Sequence, residues 1–204
     1  MNNTLSRTQK RRKATIAIGA LFLLSAFLVT QSSWQPSAAM HESIEFTGLA
    51  LIIVAVLGRT WSTLYIGGKK NGDLVHNGPY SMCRNPLYVF SVIGATGMGM
   101  VSGTITGGLV TGLACFLVFD RVIRKEESFL TAHFGAPYRH YLDTVPRWLP
   151  NPALWHDVEE TVVRPKLVLT TFRDACIFLL AYPFFEFVEK AQLVHIAPIL
   201  AHVP

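Results

Sequence analysis

Four apolar stretches, Ala14 to Thr30, Ile44 to Ile66, Leu87 to Val101 and Thr104 to Val122, dominate the chain. Each approaches the roughly 20 residues that an α-helix needs to cross a bilayer. The runs are continuously apolar and do not alternate, which favours helices over a barrel. The reading is an all-α, integral membrane helical bundle, one domain over residues 1–204, with about five transmembrane helices if the later tract Leu167 to Val188 also spans. That tract is interrupted by Arg173, Asp174, Pro183 and Glu186, so a fifth span and a re-entrant pair both fit it and the hydrophobic extension 167–204. Half of the residues are hydrophobic and only 15% charged, as suits a chain whose solvent is largely lipid.

A net charge of +5 raises the question of nucleic acid, and the placement of the charges answers it. Arg7, Lys10, Arg11, Arg12 and Lys13 precede the first run, and Lys69, Lys70 and Arg84 follow the second. Arg121, Arg124, Lys125, Arg139, Arg147, Arg164 and Lys166 follow the fourth, whereas Gln31 to Ser43 and the turn at Ser102 and Gly103 hold no Lys or Arg. The positive-inside rule places the N-terminus, the loop Gly67 to Pro86 and the segment Asp120 to Lys166 in the cytoplasm. The expected setting is a multi-pass protein of the inner (cytoplasmic) membrane with lipid as its partner and no nucleic acid. A secretory signal peptide ending near Ser37-Ala38-Ala39 is the weaker alternative, because the apolar run is long for one. Cys83, Cys115 and Cys176 are too widely spaced for a metal motif, as are His133, His140 and His156, so no metal is expected.

Two polar cassettes interrupt the apolar pattern. The first runs His76-Asn77-Gly78-Pro79-Tyr80 to Arg84-Asn85-Pro86-Leu87-Tyr88. Pro79 suits the first position of a short helix, and Pro86 makes Asn85 an N-cap candidate for the third span. Continued helix would put Tyr80 and Arg84 on one face. The free N–H groups at that helix start, with Arg84, suit a carboxylate, although an interfacial turn with a snorkelling Arg fits equally. The second cassette carries Glu126, Glu127, Leu130, Phe134, Gly135, Tyr138, Tyr141 and Val145-Pro146-Arg147 to Pro150. Its spacing puts a carboxylate and an apolar strip on one helix face that stops at Gly135. Ion pairing of the acidic residues with neighbouring Arg or Lys is the plain alternative. Arg59, inside the second apolar run, either snorkels beside Trp61 and Tyr65 or serves a site. Glycines at 94, 97 and 99, and at 103, 107, 108 and 112, make the third and fourth runs a closely packed hairpin.

Together and in this order, the cassettes resemble the isoprenylcysteine carboxyl methyltransferase family and its bacterial relatives, which are similar to phospholipid N-methyltransferases. The resemblance covers residues 59–150, about half the chain, and departs where Asn85 stands in place of a His that many members carry. It implies an S-adenosylmethionine pocket at the cytoplasmic ends of the third and fourth spans. Arg84 and the helix start would take the carboxylate, Glu126 or Glu127 the ammonium or ribose, and Tyr80, Tyr88, Tyr138 and Tyr141 the adenine or sulfonium. His76, Gly78, Pro79, Asn85 and Pro86 would line the same pocket. The acceptor would be a lipophilic small molecule or lipid-modified group, with O-methylation of a carboxylate favoured and held by Arg59 or Arg147; an amine would need a base, for which Glu127 or His76 is available. Two other functions fit the same residues: an NADPH-dependent membrane reductase of the sterol type, and a noncatalytic scaffold or transport subunit in which these groups are interfacial anchors.

Overall fold

A computed structural model describes residues 28, 30–34, 38–67, 74–194 and 199–204 of the chain. Almost all of the expected first span, the N-terminal charges, and Lys69 and Lys70 lie outside the described residues. Within them run α1 (Ala39–Ile66), a single turn α2 (Pro79–Met82), α3 (Pro86–Met100), α4 (Ile105–Phe134), α5 (Ala136–Thr144), α6 (Pro165–Cys176) and α7 (Ala181–Leu193). Short 3-10 turns cover Pro152–Leu154 and Ile177–Leu180. A pair of three-residue strands, β1 (Thr30–Ser32) and β2 (Ala201–Val203), runs parallel, with Thr30 opposite Ala201.

Three helical tracts, α1, α4 and Pro165–Leu193, are long and apolar enough to cross a membrane. Helix α3 is apolar but has only 15 residues. At about 1.5 Å per residue it reaches about 22 Å, short of the roughly 30 Å hydrocarbon layer, so its polar flanks are drawn towards the lipid boundary. The tract after Pro165 resolves the ambiguity of the sequence in favour of one continuous helical run. Pro183 has no N–H to give to Leu179, and the chain tightens into the 3-10 turn just ahead of it. Arg173 and Asp174, which interrupt the apolar pattern, are exposed on that helix.

Helix α1 is central, with α3 packed on one side and α6 on another, and α4 packs on α3. Small residues let α3 and α4 approach closely, as expected, and bring α1 equally close to α3. A Cβ at Gly97 would lie 2.6 Å from the Gly48 carbonyl, and one at Gly99 would overlap the Gly107 carbonyl. Ile52, Val56, Val101 and Ala175 form the buried centre, with Phe178 and Phe185 against it. Ile105, Leu109, Leu113 and Leu117, four residues apart on α4, make an exposed apolar stripe, the surface that a lipid-facing helix presents.

Candidate functional site

The polar cassettes meet at one end of this bundle. Gly78, at φ 57°, turns the chain into α2, whose Pro79, Tyr80 and Ser81 are buried. The helix stops at Met82 and Cys83 is extended, so Tyr80 and Arg84 do not share a helical face as the spacing suggested. Asn85 occupies the N-cap position of α3, but its side chain caps nothing: Nδ2 instead donates to the Arg147 carbonyl at 3.2 Å.

Helix α4 continues past the start of α3 and stops at Gly135, where φ is 64°. The chain then reverses into α5. Tyr138, Tyr141 and Val145 pack as a buried cluster against Leu130 and Phe134, the apolar strip expected on α4. Residues 141–156 thereby fold back over the first cassette as a clasp. The Arg84 N–H donates to the Pro146 carbonyl at 2.9 Å, the Asn151 N–H to the Met82 carbonyl at 3.0 Å, and the Gly78 N–H to the His156 carbonyl at 2.9 Å. The Tyr141 hydroxyl donates to the Tyr80 carbonyl at 2.7 Å. Cys83 Sγ lies 3.4 and 3.3 Å from the Arg147 and Trp148 carbonyls.

Inside the clasp, Glu127 is buried between two guanidiniums. Arg84 Nε lies 3.2 Å from Oε1, and Arg147 donates from Nη2 to Oε2 at 2.6 Å and from Nε to both oxygens at 3.0 and 3.1 Å. Arg84 Nη1 also donates to the Leu142 carbonyl. Beside it, the Tyr88 hydroxyl donates to Glu126 Oε2 at 3.0 Å. The hydrogen bonds from Glu127 hold the Arg147 guanidinium above its ordinary pKa. Burial, with the Glu127 charge nearby, pushes the Tyr138 phenol up to about 12, and burial also raises the Tyr80 and Tyr141 phenols and the Cys83 thiol. These phenols stay neutral at physiological pH and act as hydrogen-bonding and aromatic surfaces.

Arg84, Asn85, Tyr88, Glu126, Glu127, Tyr138, Tyr141 and Arg147 are thus brought together from two segments, with Gly78, Pro79, Tyr80 and Pro86 forming the floor beside them. Arg59 lies one turn deeper. Its Nη1 donates to Ser91 Oγ, three residues after Tyr88 on α3, and its guanidinium sits 5.8 Å from the Phe178 ring. His76 stands apart on the outer edge: it is exposed, its Nδ1 is 3.1 Å from the Leu74 carbonyl, and its ring faces His156 at 5.8 Å. Trp61 stacks on Trp155 at 5.9 Å and the Tyr65 hydroxyl donates to Asp157 at 2.7 Å, so both anchor the clasp to α1 rather than forming only an aromatic belt.

Sequence reasoning passed over Ser91, Asp120 and Trp148. The Trp148 indole N–H reaches Asp120 at 3.3 Å, and its ring packs on Phe116 at 4.6 Å. Asp120 and Glu127 are seven residues apart, two turns on one face of α4, and that spacing was the available signal. A concavity of about 560 Å³ is an open depression on the outer side of residues 142–152; of the expected cofactor residues only Arg84 reaches it. The ionic cluster of Arg84, Glu127 and Arg147, rather than that depression, is the candidate site.

The family model that matches the chain describes phospholipid methyltransferases and covers residues 43–137, from α1 into α5. The chain is 31% identical over 182 residues to the cobalt-zinc-cadmium resistance protein CzcN of Cupriavidus metallidurans, covering 89% of this chain and 82% of that protein. It is 31% identical over 157 residues to the nickel-cobalt-cadmium resistance protein NccN of Alcaligenes xylosoxydans xylosoxydans, covering 77% and 73%. Protein-S-isoprenylcysteine O-methyltransferase A of Arabidopsis thaliana is 26% identical over 144 residues, covering 66% of this chain and 73% of that one. No solved structure matches. With the matching family model spanning the helices that build the cluster, and relatives aligned over most of their length, the chain belongs to the phospholipid methyltransferase family of membrane proteins.

Proposed function

We propose that this protein transfers a methyl group from S-adenosylmethionine to the carboxylate of a lipophilic acceptor at the cytoplasmic face of the inner membrane. The observation that carries the reading is the convergence of Arg84, Glu127 and Arg147, 43 and 20 residues apart in sequence, in one buried cluster beside Tyr80, Tyr88 and Tyr138. One group there has unspent hydrogen-bonding capacity: the Tyr80 hydroxyl is buried without a hydrogen-bond partner among the described residues. Native interiors rarely leave such a donor unused, and a polar ligand would use it.

S-adenosylmethionine supplies an electrophilic methyl carbon on a sulfonium, and its own carboxylate, ammonium and ribose need anionic and cationic partners. Arg84 and the N-terminus of α3 would hold the carboxylate, Glu126 with Tyr88 the ammonium or ribose, and Tyr80 and Tyr138 the adenine and sulfonium faces. Glu127 has both oxygens engaged by guanidinium N–H groups, which leaves it poorly placed to accept a proton. Its role is to fix Arg84 and Arg147. A carboxylate acceptor requires no base, so the arrangement favours O-methylation over N-methylation. Arg59, one turn deeper and facing the aromatic Phe178, is placed to hold the acceptor's polar head while its tail stays in lipid. The names of two relatives extend to this chain as part of the proposal: methylation of a membrane acceptor serves tolerance of cobalt, zinc, cadmium or nickel.

Calorimetry on detergent-purified protein tests the cofactor. Saturable binding of S-adenosylmethionine but not of NADPH is expected, together with transfer of labelled methyl to a prenylated cysteine or extracted lipid. Binding of NADPH alone would replace this reading with the reductase one.

A further inference from the structure

The opposite end of the bundle holds a second buried ionisable cluster that methyl transfer does not use. His41 lies in the first turn of α1, Glu45 one turn further along the same helix, and Glu189 on α7. His41 is 4% exposed and carries no hydrogen bond at either ring nitrogen among the described residues. Its Nε2 points between the two carboxylates, 3.4 Å from Glu45 Oε1 and 3.6 Å from Glu189 Oε1. The Glu189 oxygen is also buried without a hydrogen-bond partner. Gly103, in the turn between α3 and α4, presses on the imidazole so closely that a Cβ there would overlap the ring. The ring orientation is therefore imposed by packing.

The distances discriminate between two explanations. An imidazolium paired with either carboxylate would make an N–H···O bond of about 2.7–2.9 Å, and neither separation is that short. Ligand atoms at about 2.0–2.2 Å around a tetrahedral ion stand about 3.3–3.5 Å from one another, and both separations lie near that edge length; all three ligand atoms fall within 4.8 Å of one another. One neutral imidazole and two carboxylates also balance the charge of a divalent cation. A partly open concavity of about 30 Å³, with Ser32, His41, Glu45, Ser102, Glu189 and Gln192 beside Val101, Phe185 and Val188 in its lining, adjoins the cluster and has room for a water as fourth ligand.

We propose that His41, Glu45 and Glu189 form a binding site for a divalent zinc-class cation, with zinc or cobalt as the fitting ions, at the end of the bundle remote from Arg84 and Glu127. The mixed imidazole and carboxylate set suits these borderline ions and does not suit soft copper(I). The ion would join α1 to α7 where β1 and β2 also meet, and so tie the C-terminal helix to the centre of the bundle.

The test uses the full chain, purified in detergent without a polyhistidine tag, stripped with chelator and titrated with Co²⁺ and then Zn²⁺. One Co²⁺ per chain is expected, with the strong visible absorption of a tetrahedral site, displaced by Zn²⁺. The isosteric variants Glu189→Gln and Glu45→Gln, and His41→Phe, should each weaken binding at least about tenfold, while Arg84→Ala leaves it unchanged. Glu189→Gln should keep its S-adenosylmethionine affinity, so failure of this site and failure of the cofactor reading are separate outcomes. Absence of saturable binding, or equal binding by wild type and Glu189→Gln, overturns the site, and the isosteric Gln variants decide the matter should His41→Phe fail to fold.

Discussion

Tyr80 gives the sharpest single-residue prediction. Its hydroxyl is buried and unpartnered within the protein, and a buried unsatisfied polar group costs about 1–3 kcal/mol. Tyr80→Phe should therefore raise the melting temperature in detergent while weakening S-adenosylmethionine binding roughly fivefold to tenfold, about 1 kcal/mol. A loss of stability with unchanged affinity would show that the hydroxyl serves the fold. Glu127 should behave in the reverse sense. Its removal leaves two guanidiniums without their shared partner, one of them buried, so Glu127→Ala should destabilise by about 3 kcal/mol and lower cofactor affinity through the displaced arginines. Arg84→Ala should lose affinity with a smaller stability cost, because Arg147 still satisfies Glu127; thermal melts with and without S-adenosylmethionine separate the two. The sequence made these residues visible by type and order. It did not reveal that Glu127 is consumed by both arginines, because that depends on how far residues 136–147 fold back along α4.

At the scale of elements, the apolar runs located α1, α3 and α4, and the differences have physical causes. Helix α1 starts at Ala39 rather than near Ile44 because His41 and Glu42, which read as loop, are helical, with His41 and Glu45 directed into the cluster with Glu189. Tyr80 and Arg84 were expected on one helix face, but Cys83 is pulled out of helix towards the carbonyls of Arg147 and Trp148, a tertiary contact invisible to local periodicity. Two glycines separate packing from backbone strain. Gly97→Ala puts a methyl 2.6 Å from the Gly48 carbonyl and should cost about 1–3 kcal/mol by forcing α1 and α3 apart. Gly135→Ala meets nothing within 4 Å, and its cost is backbone strain alone, about 1–3 kcal/mol for an L-residue at φ 64° and ψ −128°. Paired denaturation curves should show a loss for both variants, and an unchanged Gly97→Ala curve would mean that the α1–α3 contact is looser than the geometry states.

For the whole molecule, the charge pattern makes a prediction about which end of the fold faces the cytoplasm. The exposed Arg121, Arg124, Lys125 and Arg139 sit towards the end with the Arg84, Glu127 and Arg147 cluster, and the α3–α4 turn at the other end carries no Lys or Arg. In a background without Cys115 and Cys176, Arg139→Cys should react with a membrane-impermeant maleimide only in inverted vesicles, and Trp34→Cys only in right-side-out spheroplasts. The opposite pattern would invert the topology and place the transferase site outside. Cys83, buried and with its thiol raised, should stay unmodified in both.

The clasp over the first cassette is fastened largely through main-chain carbonyls, those of Leu142, Pro146, Arg147, Trp148 and His156, rather than through the side chains that project from it. Peptide oxygens are the same in every amino acid, so evolution is free to rewrite most letters of this strap without loosening its grip. Substitutions along the strap that keep its backbone path should leave these bonds in place, so its side chains can change without uncovering the cluster beneath it.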